Sequence, residues 1–79
     1  MWYVYVLRSE KDEKLYVGST NDLKRRLSDH NAGNVESTAP RKPFVLLAYF
    51  ALHEKDKAIE FEKYLKTGSG KAFLQRRIL

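Results

Sequence analysis

Apolar positions fall into three runs of strand character and two stretches of helical spacing. Trp2-Tyr3-Val4-Tyr5-Val6-Leu7 is apolar throughout and rich in aromatic and β-branched side chains. Such a run predicts a strand covered on both faces, hence one placed centrally in a small sheet. Ser9 to Lys14 is a polar, charged turn, and Leu15-Tyr16-Val17-Gly18 predicts the partner strand. Ser19-Thr20-Asn21-Asp22 offers four candidate helix caps. A helix is expected from about Leu23 to about Asn31, with Gly33 as its stop.

Asn34 to Pro43 reads as a loop holding both prolines, and Phe44 to Leu52 as the third strand. Glu54 to Lys66 predicts a second helix, Gly68-Ser69-Gly70 a break, and Lys71 to about Arg77 a short third helix. There is no internal repeat. The order β-β-α-β-α-α predicts a mixed α/β class of α+β type. Its sheet is three-stranded and mainly antiparallel, flanked by helices, in one domain over residues 1–79.

Composition narrows the function. A hydrophobic share of 43%, with five Tyr, four Phe and one Trp, is enough for a packed core. The absence of cysteine excludes disulfides and thiolate metal sites. No leader pattern precedes Trp2 and no apolar run is long enough to span a bilayer, so a cytoplasmic location and no membrane association are expected. The net charge of +5 is unevenly placed. From Lys63 onward stand Lys63, Lys66, Lys71, Arg76 and Arg77 with no acidic residue, and that segment carries the whole excess. A basic face of this kind suits a phosphate backbone, or equally a solvated helix surface.

Helical spacing separates chemically similar neighbours. At about 100° per residue from Leu23, Leu27 falls near 40°, His30 near −20° and Arg26 near −60°, while Arg25 falls near 200°. Arg26 and His30 therefore share the apolar side, and Lys24 and Arg25 face water. An inward positive pair is unfavourable unless something anionic arrives there. In the second helix Glu62 lies with Ala58, Phe61 and Leu65, whereas Glu60 faces water. An inward carboxylate needs a partner, and Arg26, Lys66 or a bound metal ion are the candidates.

Plainer roles exist for each residue. Glu62 and Arg26 could form a half-buried ion pair, and His30 could be a satisfied histidine at a helix end. The tyrosines suit any strand, Ser19 could belong to a cap, and His53 reads as an exposed bystander. Gly68-Ser69-Gly70-Lys71 lacks the strand and spacing of a phosphate-binding loop.

Tyr3-Val4-Tyr5, ten intervening residues, then Tyr16-Val17-Gly18 resembles the paired signature of the GIY-YIG nuclease superfamily. The segment Leu15 to His30 is similar to that family's second motif, and Ala58 to Lys66 to its later glutamate motif. The likeness covers nearly the whole chain and is nearest to small, stand-alone bacterial members. Two positions depart from the pattern. Tyr3 stands at the first glycine of the signature, and Leu74 stands where many active members carry an asparagine, with Gln75 beside it.

The resemblance implies a metal-dependent endonuclease acting on DNA rather than RNA, possible roles being repair or recombination. Tyr5 and Tyr16 would be active-site tyrosines, Arg26 the ligand of the scissile phosphate, and His30 the residue at the family's His-or-Tyr position. Glu62 would hold one Mg²⁺ or Mn²⁺. Ser19 falls where some members carry a lysine. With Arg41, Lys42, Lys66, Lys71, Arg76 and Arg77 it completes the expected nucleic-acid-binding set. A monomer is expected, with a dimer or an accessory protein as other sources of specificity. Two rivals stay open: a module of the same fold that binds nucleic acid with little or no cleavage, and a protein-interaction module whose basic helix meets an acidic partner.

Overall fold

Continuous burial in the middle of the first strand sets the layout. In the computed structural model, which describes residues 1–79, strand β1 spans Trp2–Ser9, with Val4, Tyr5, Val6 and Leu7 all buried. Successive side chains of a strand point to opposite faces, so four buried neighbours require cover on both. The sheet order β2-β1-β3 supplies β1 with partners on both edges, and helices cover its two faces. Strand β2 (Leu15–Thr20) and strand β3 (Phe44–Leu52) both pair antiparallel with β1, so the sheet is antiparallel throughout.

On one face Val4, Val6 and Val17 pack with Ala58, Leu65 and Leu74 from the C-terminal helices. On the other, Tyr5, Leu7 and Phe44 pack with Leu23 and Leu27 of helix α1 (Leu23–Ala32). A bulge between Val6 and Leu7 shifts the register against β3. The paired register sets Gly18, Tyr5 and Tyr49 in one row across the sheet, with Tyr16 opposite Leu7.

Several boundaries differ from the sequence reading: β1 runs on to Ser9, and the second helix is one residue shorter at each end than expected. Strand β2 extends through Ser19 and Thr20, which pair with Val4 and Tyr3. Of the four candidate caps, Asp22 caps α1 by accepting the Arg25 N–H at 3.1 Å. Gly68-Ser69-Gly70 does not break the helix but forms the first turn of helix α3 (Gly68–Phe73), so the expected start at Lys71 is corrected. The break falls just earlier, after helix α2 (Lys55–Leu65), because Thr67 caps α3 by accepting the Gly70 N–H. Gly70 packs against the Tyr64 carbonyl and Leu65 Cα, where a Cβ would collide with backbone. A π turn over Leu74–Ile78 follows and buries Leu74. Within the expected 34–43 loop, Ala39–Arg41 forms a 3-10 turn. No helix is long and apolar enough to cross a membrane.

Candidate active site

Helix α1 delivers His30 to the sheet in its last turn, and the side chain is fully buried. Three aromatic rings enclose it: Tyr16 at 5.0 Å between centroids, Tyr5 at 5.7 Å and Phe44 at 5.8 Å. Its Nε2 lies 2.9 Å from the Tyr5 hydroxyl, and its Nδ1 lies 2.8 Å from Thr38 Oγ1. Burial first, and the Arg26 charge second, push the His30 pKa below the ordinary 6.5, against a weaker pull from Asp29. The ring is therefore neutral at neutral pH.

Tyr5 reaches this position because β2 carries glycine opposite it. A Cβ on Gly18 would sit 2.5 Å from the Tyr5 hydroxyl oxygen, and 3.2 Å from the Tyr16 ring. Burial raises the Tyr5 pKa above 10, and the neighbouring Arg26 guanidinium offsets that in part. A phenol lowered toward neutrality, which simple base catalysis by Tyr5 requires, is not what the site provides.

The carboxylate comes from the other side of the sheet. Ser19, at the end of β2, donates to Glu62 Oε1 at 2.6 Å, and Lys66 donates to Oε2 at 2.7 Å. Of the expected partners the structure selects Lys66 over Arg26. Burial pushes the Glu62 pKa up, but Lys66, Ser19 and the Lys63 charge outweigh it and hold the carboxyl below its usual range. Arg26 and Ser19 line one cleft of about 300 Å³ between the end of β2 and α1, with Arg25 on its more exposed rim. Tyr5, Tyr16, Arg26, His30 and Glu62 thus gather around the sheet-edge strand β2.

Glu62 belongs to no group of three or more His, Asp or Glu side chains. Each carboxylate oxygen spends one lone pair on Ser19 or Lys66 and keeps another. One hard oxygen ligand fits a hydrated Mg²⁺ or Mn²⁺ completed by water and phosphate; it does not fit structural zinc.

The basic residues divide. Arg41 is committed to the β1–β2 turn: it pairs with Asp12 at 2.8 Å and donates to the Lys14 and Leu15 carbonyls. That bond holds the Asp12 pKa at about 2. Arg41 also covers the Phe44 ring. Lys42 is exposed and lies over Gly33, the left-handed cap of α1. Lys66 and Lys71 join Lys14 and Gln75 around a groove of about 490 Å³ beside Tyr16, while Arg76 and Arg77 lie on a separate surface beside Phe73. Leu74, at the position of the expected asparagine, is wholly buried.

Thr38 and Phe44 escaped the sequence reading. Thr38 sits eight residues beyond His30 in a polar loop, and Phe44 begins a strand; neither pattern signals contact with an imidazole.

Residues 1–76 match the family model described as the GIY-YIG catalytic domain. UPF0213 proteins of Streptococcus pyogenes serotype M5 (strain Manfredo) and serotype M2 are each 43% identical over 65 residues, covering 81% of this chain and 70% of theirs. The solution NMR structure of the UPF0213 protein BH0048 from Bacillus halodurans superposes with a TM-score of 0.58 at 34% identity. It covers 95% of this chain and 83% of that one.

Proposed function

The chain belongs to the GIY-YIG catalytic-domain family, and from that membership we propose that it is a divalent-metal-dependent endonuclease cutting phosphodiester bonds of DNA. GIY-YIG nucleases act on nucleic acid and typically use divalent metals. The observation that carries the reading further is the buried Tyr5–His30 hydrogen bond with Arg26 beside it, at the strand that also anchors Glu62 through Ser19. We read the protein as a cytoplasmic monomer whose role lies in repair or recombination.

The scissile phosphate docks on Arg26, whose forked donors suit it and whose charge offsets the negative charge that grows in the transition state. A divalent ion held by Glu62 and water would add Lewis-acid neutralisation at the phosphate oxygens. Water attacks phosphorus in line and the bond to the 3′ oxygen breaks. As the water oxygen bonds to phosphorus, its proton passes to Tyr5 Oη and the Tyr5 proton passes to His30 Nε2. Tyr5 begins and ends neutral, so its raised pKa is no obstacle. The imidazolium that forms is disfavoured by Arg26 in the free protein, but the bound phosphate compensates that charge. Tyr16 packs on His30, keeps water from the ring and borders the substrate groove. Its hydroxyl is the alternative proton acceptor. The leaving 3′ oxygen takes a proton from solvent, giving a 3′ hydroxyl and a 5′ phosphate.

Lys66, Lys71 and Lys42 supply phosphate contacts, and Arg76 and Arg77 a second basic surface. Arg41 is left out of the interface because its Nε and Nη2 donors are engaged by Asp12 and the β1–β2 turn.

Buried Leu74 in place of an asparagine favours a second reading, a module that binds nucleic acid without cutting. A cleavage screen with Mg²⁺ and Mn²⁺ over nicked, branched, single-stranded and duplex DNA, and matching RNA, separates the two. Cleavage lost in Glu62→Ala supports the nuclease; binding with no cleavage on any substrate supports the module.

A further inference from the structure

Thr38 touches no candidate substrate position, yet it is one of three buried polar residues and its hydroxyl faces His30 Nδ1. We propose that Thr38 is a positioning residue. It fixes His30 in the Nδ1–H tautomer, so that the Nε2 lone pair is presented to the Tyr5 hydroxyl. The inference rests on the nuclease reading for its consequence and on hydrogen-bond accounting for its substance.

The Tyr5 hydroxyl is buried, carries one proton, and lies 2.9 Å from His30 Nε2. The neighbouring Arg26 guanidinium can only donate. The Tyr5 proton must therefore point at Nε2, and Nε2 must be bare. A neutral imidazole bare at Nε2 carries its proton on Nδ1, and that proton goes to Thr38 Oγ1 at 2.8 Å. The Thr38 hydroxyl, now an acceptor, sends its own proton to the Val35 carbonyl, 3.3 Å away. Each link has one donor and one acceptor, and no buried polar side-chain atom is left without a partner.

The opposite tautomer breaks the Tyr5 end and costs Thr38 its bond to the Val35 carbonyl. It would turn Nε2–H toward Tyr5 and leave the phenolic proton without an acceptor, and it would draw the Thr38 proton from the Val35 carbonyl to the bare Nδ1. The doubly protonated ring breaks the Tyr5 end in the same way. The titratable and charged groups facing the ring are Tyr5 from β1, Tyr16 from β2, and Arg26 and Asp29 from α1. From β3 and the loop come Phe44 and Thr38, which do not ionise. Holding the acceptor nitrogen toward Tyr5 is what a relay through that phenol needs, because a ring protonated at Nε2 cannot take a proton there.

Two-bond ¹⁵N–¹H correlation spectra of wild type and variants at pH 8 test this, with exposed His53 as an internal reference. Wild type should show His30 as Nδ1–H. Thr38→Val, which keeps the shape and loses the acceptor, should shift His30 toward Nε2–H or a mixture. Thr38→Ser should restore Nδ1–H. On a substrate that wild type cuts, kcat should fall roughly 100-fold in Thr38→Val, within the range of general-base assistance, at unchanged KM, and Thr38→Ser should recover it. A wild-type His30 found as Nε2–H overturns the proposal without any variant. So does a folded Thr38→Val that keeps Nδ1–H. If no substrate is cut, the nuclease reading fails while the tautomer measurement still decides the role of Thr38.

Discussion

Ser19 and Glu62 stand 43 residues apart in sequence and share a hydrogen bond of 2.6 Å, from the end of a strand to a helix across the sheet. The bond fixes one carboxylate oxygen at the edge of β2, and Lys66 holds the other. Glu62→Ala should abolish metal-dependent cleavage, a loss of at least about 100-fold if the ion supplies several kcal/mol. The fold should persist, because the partners left behind are solvent-accessible. Glu60→Ala, on the exposed side, should cut at near wild-type rate. Parallel cleavage assays and circular dichroism of both variants check this, and equal losses would refute the placement of Glu62 in the site.

Arg26 is half-buried beside Tyr5, and Arg25 is exposed on the rim of the same cleft. Arg26→Ala should lower kcat by about 100- to 1000-fold, the usual loss of one transition-state donor. Arg25→Ala should change affinity by only a few fold. Single-turnover rates at saturating protein separate chemistry from binding, and a critical Arg25 would contradict the assignment.

His30 is depressed below 6.5 when folded, so the unfolded chain binds more protons just below that pH. Its contribution to stability is whole above about 6.5 and is lost as pH falls through the folded pKa. Urea midpoints of wild type minus His30→Gln should be level from pH 8 to 6.5 and decline below it. Cleavage should keep its rate through pH 6.5 and fall only at the lower folded pKa. A rate loss centred above 6.5 would show the ring to be charged when free.

Gly18→Ala should push the Tyr5 hydroxyl away from Nε2, since the added carbon would lie 2.5 Å from it. Overpacking of this kind costs about 1–3 kcal/mol. Activity should fall as far in Gly18→Ala as in Tyr5→Phe, and the double variant should be no worse than either, as for residues acting as a unit. Additive losses would separate Gly18 from Tyr5.

Arg41 and Lys71 differ in what they hold. Arg41→Ala should lower the thermal midpoint, because it releases Asp12 and two carbonyls of the β1–β2 turn. The salt dependence of DNA binding should stay as it was. Lys71→Ala should leave the thermal midpoint alone and reduce the slope of log affinity against log salt by up to about 0.9 for duplex DNA. Binding across a salt series, with melts of both variants, distinguishes them; a slope change in Arg41→Ala would return that residue to the interface.

Local pattern determined the elements and their order. An unbroken apolar run rich in β-branched and aromatic residues fits a strand with cover on both faces, and β1 is the middle strand. Helical spacing separated Arg26 from Arg25 and Glu62 from Glu60, because side chains three and four residues apart share a face whatever packs against it. Spacing says which side a residue takes, and nothing of what waits there. That His30 would meet Tyr5 at one nitrogen and Thr38 at the other was settled by α1 crossing the sheet and the loop folding back over it. That Glu62 would take Ser19 and Lys66, and that Arg41 would clamp a turn, was settled by long-range pairings no local pattern encodes. Polar Ser19 and Thr20 looked like caps and became strand, since β1 offered backbone partners to both. The two glycines around Ser69 looked like a break and became a helix turn, since only a bare Cα fits against the Tyr64 carbonyl. Periodicity is a property of one segment and its exposure to water. Hydrogen-bond partners and close approaches belong to pairs of segments, and they exist only once the layers are stacked.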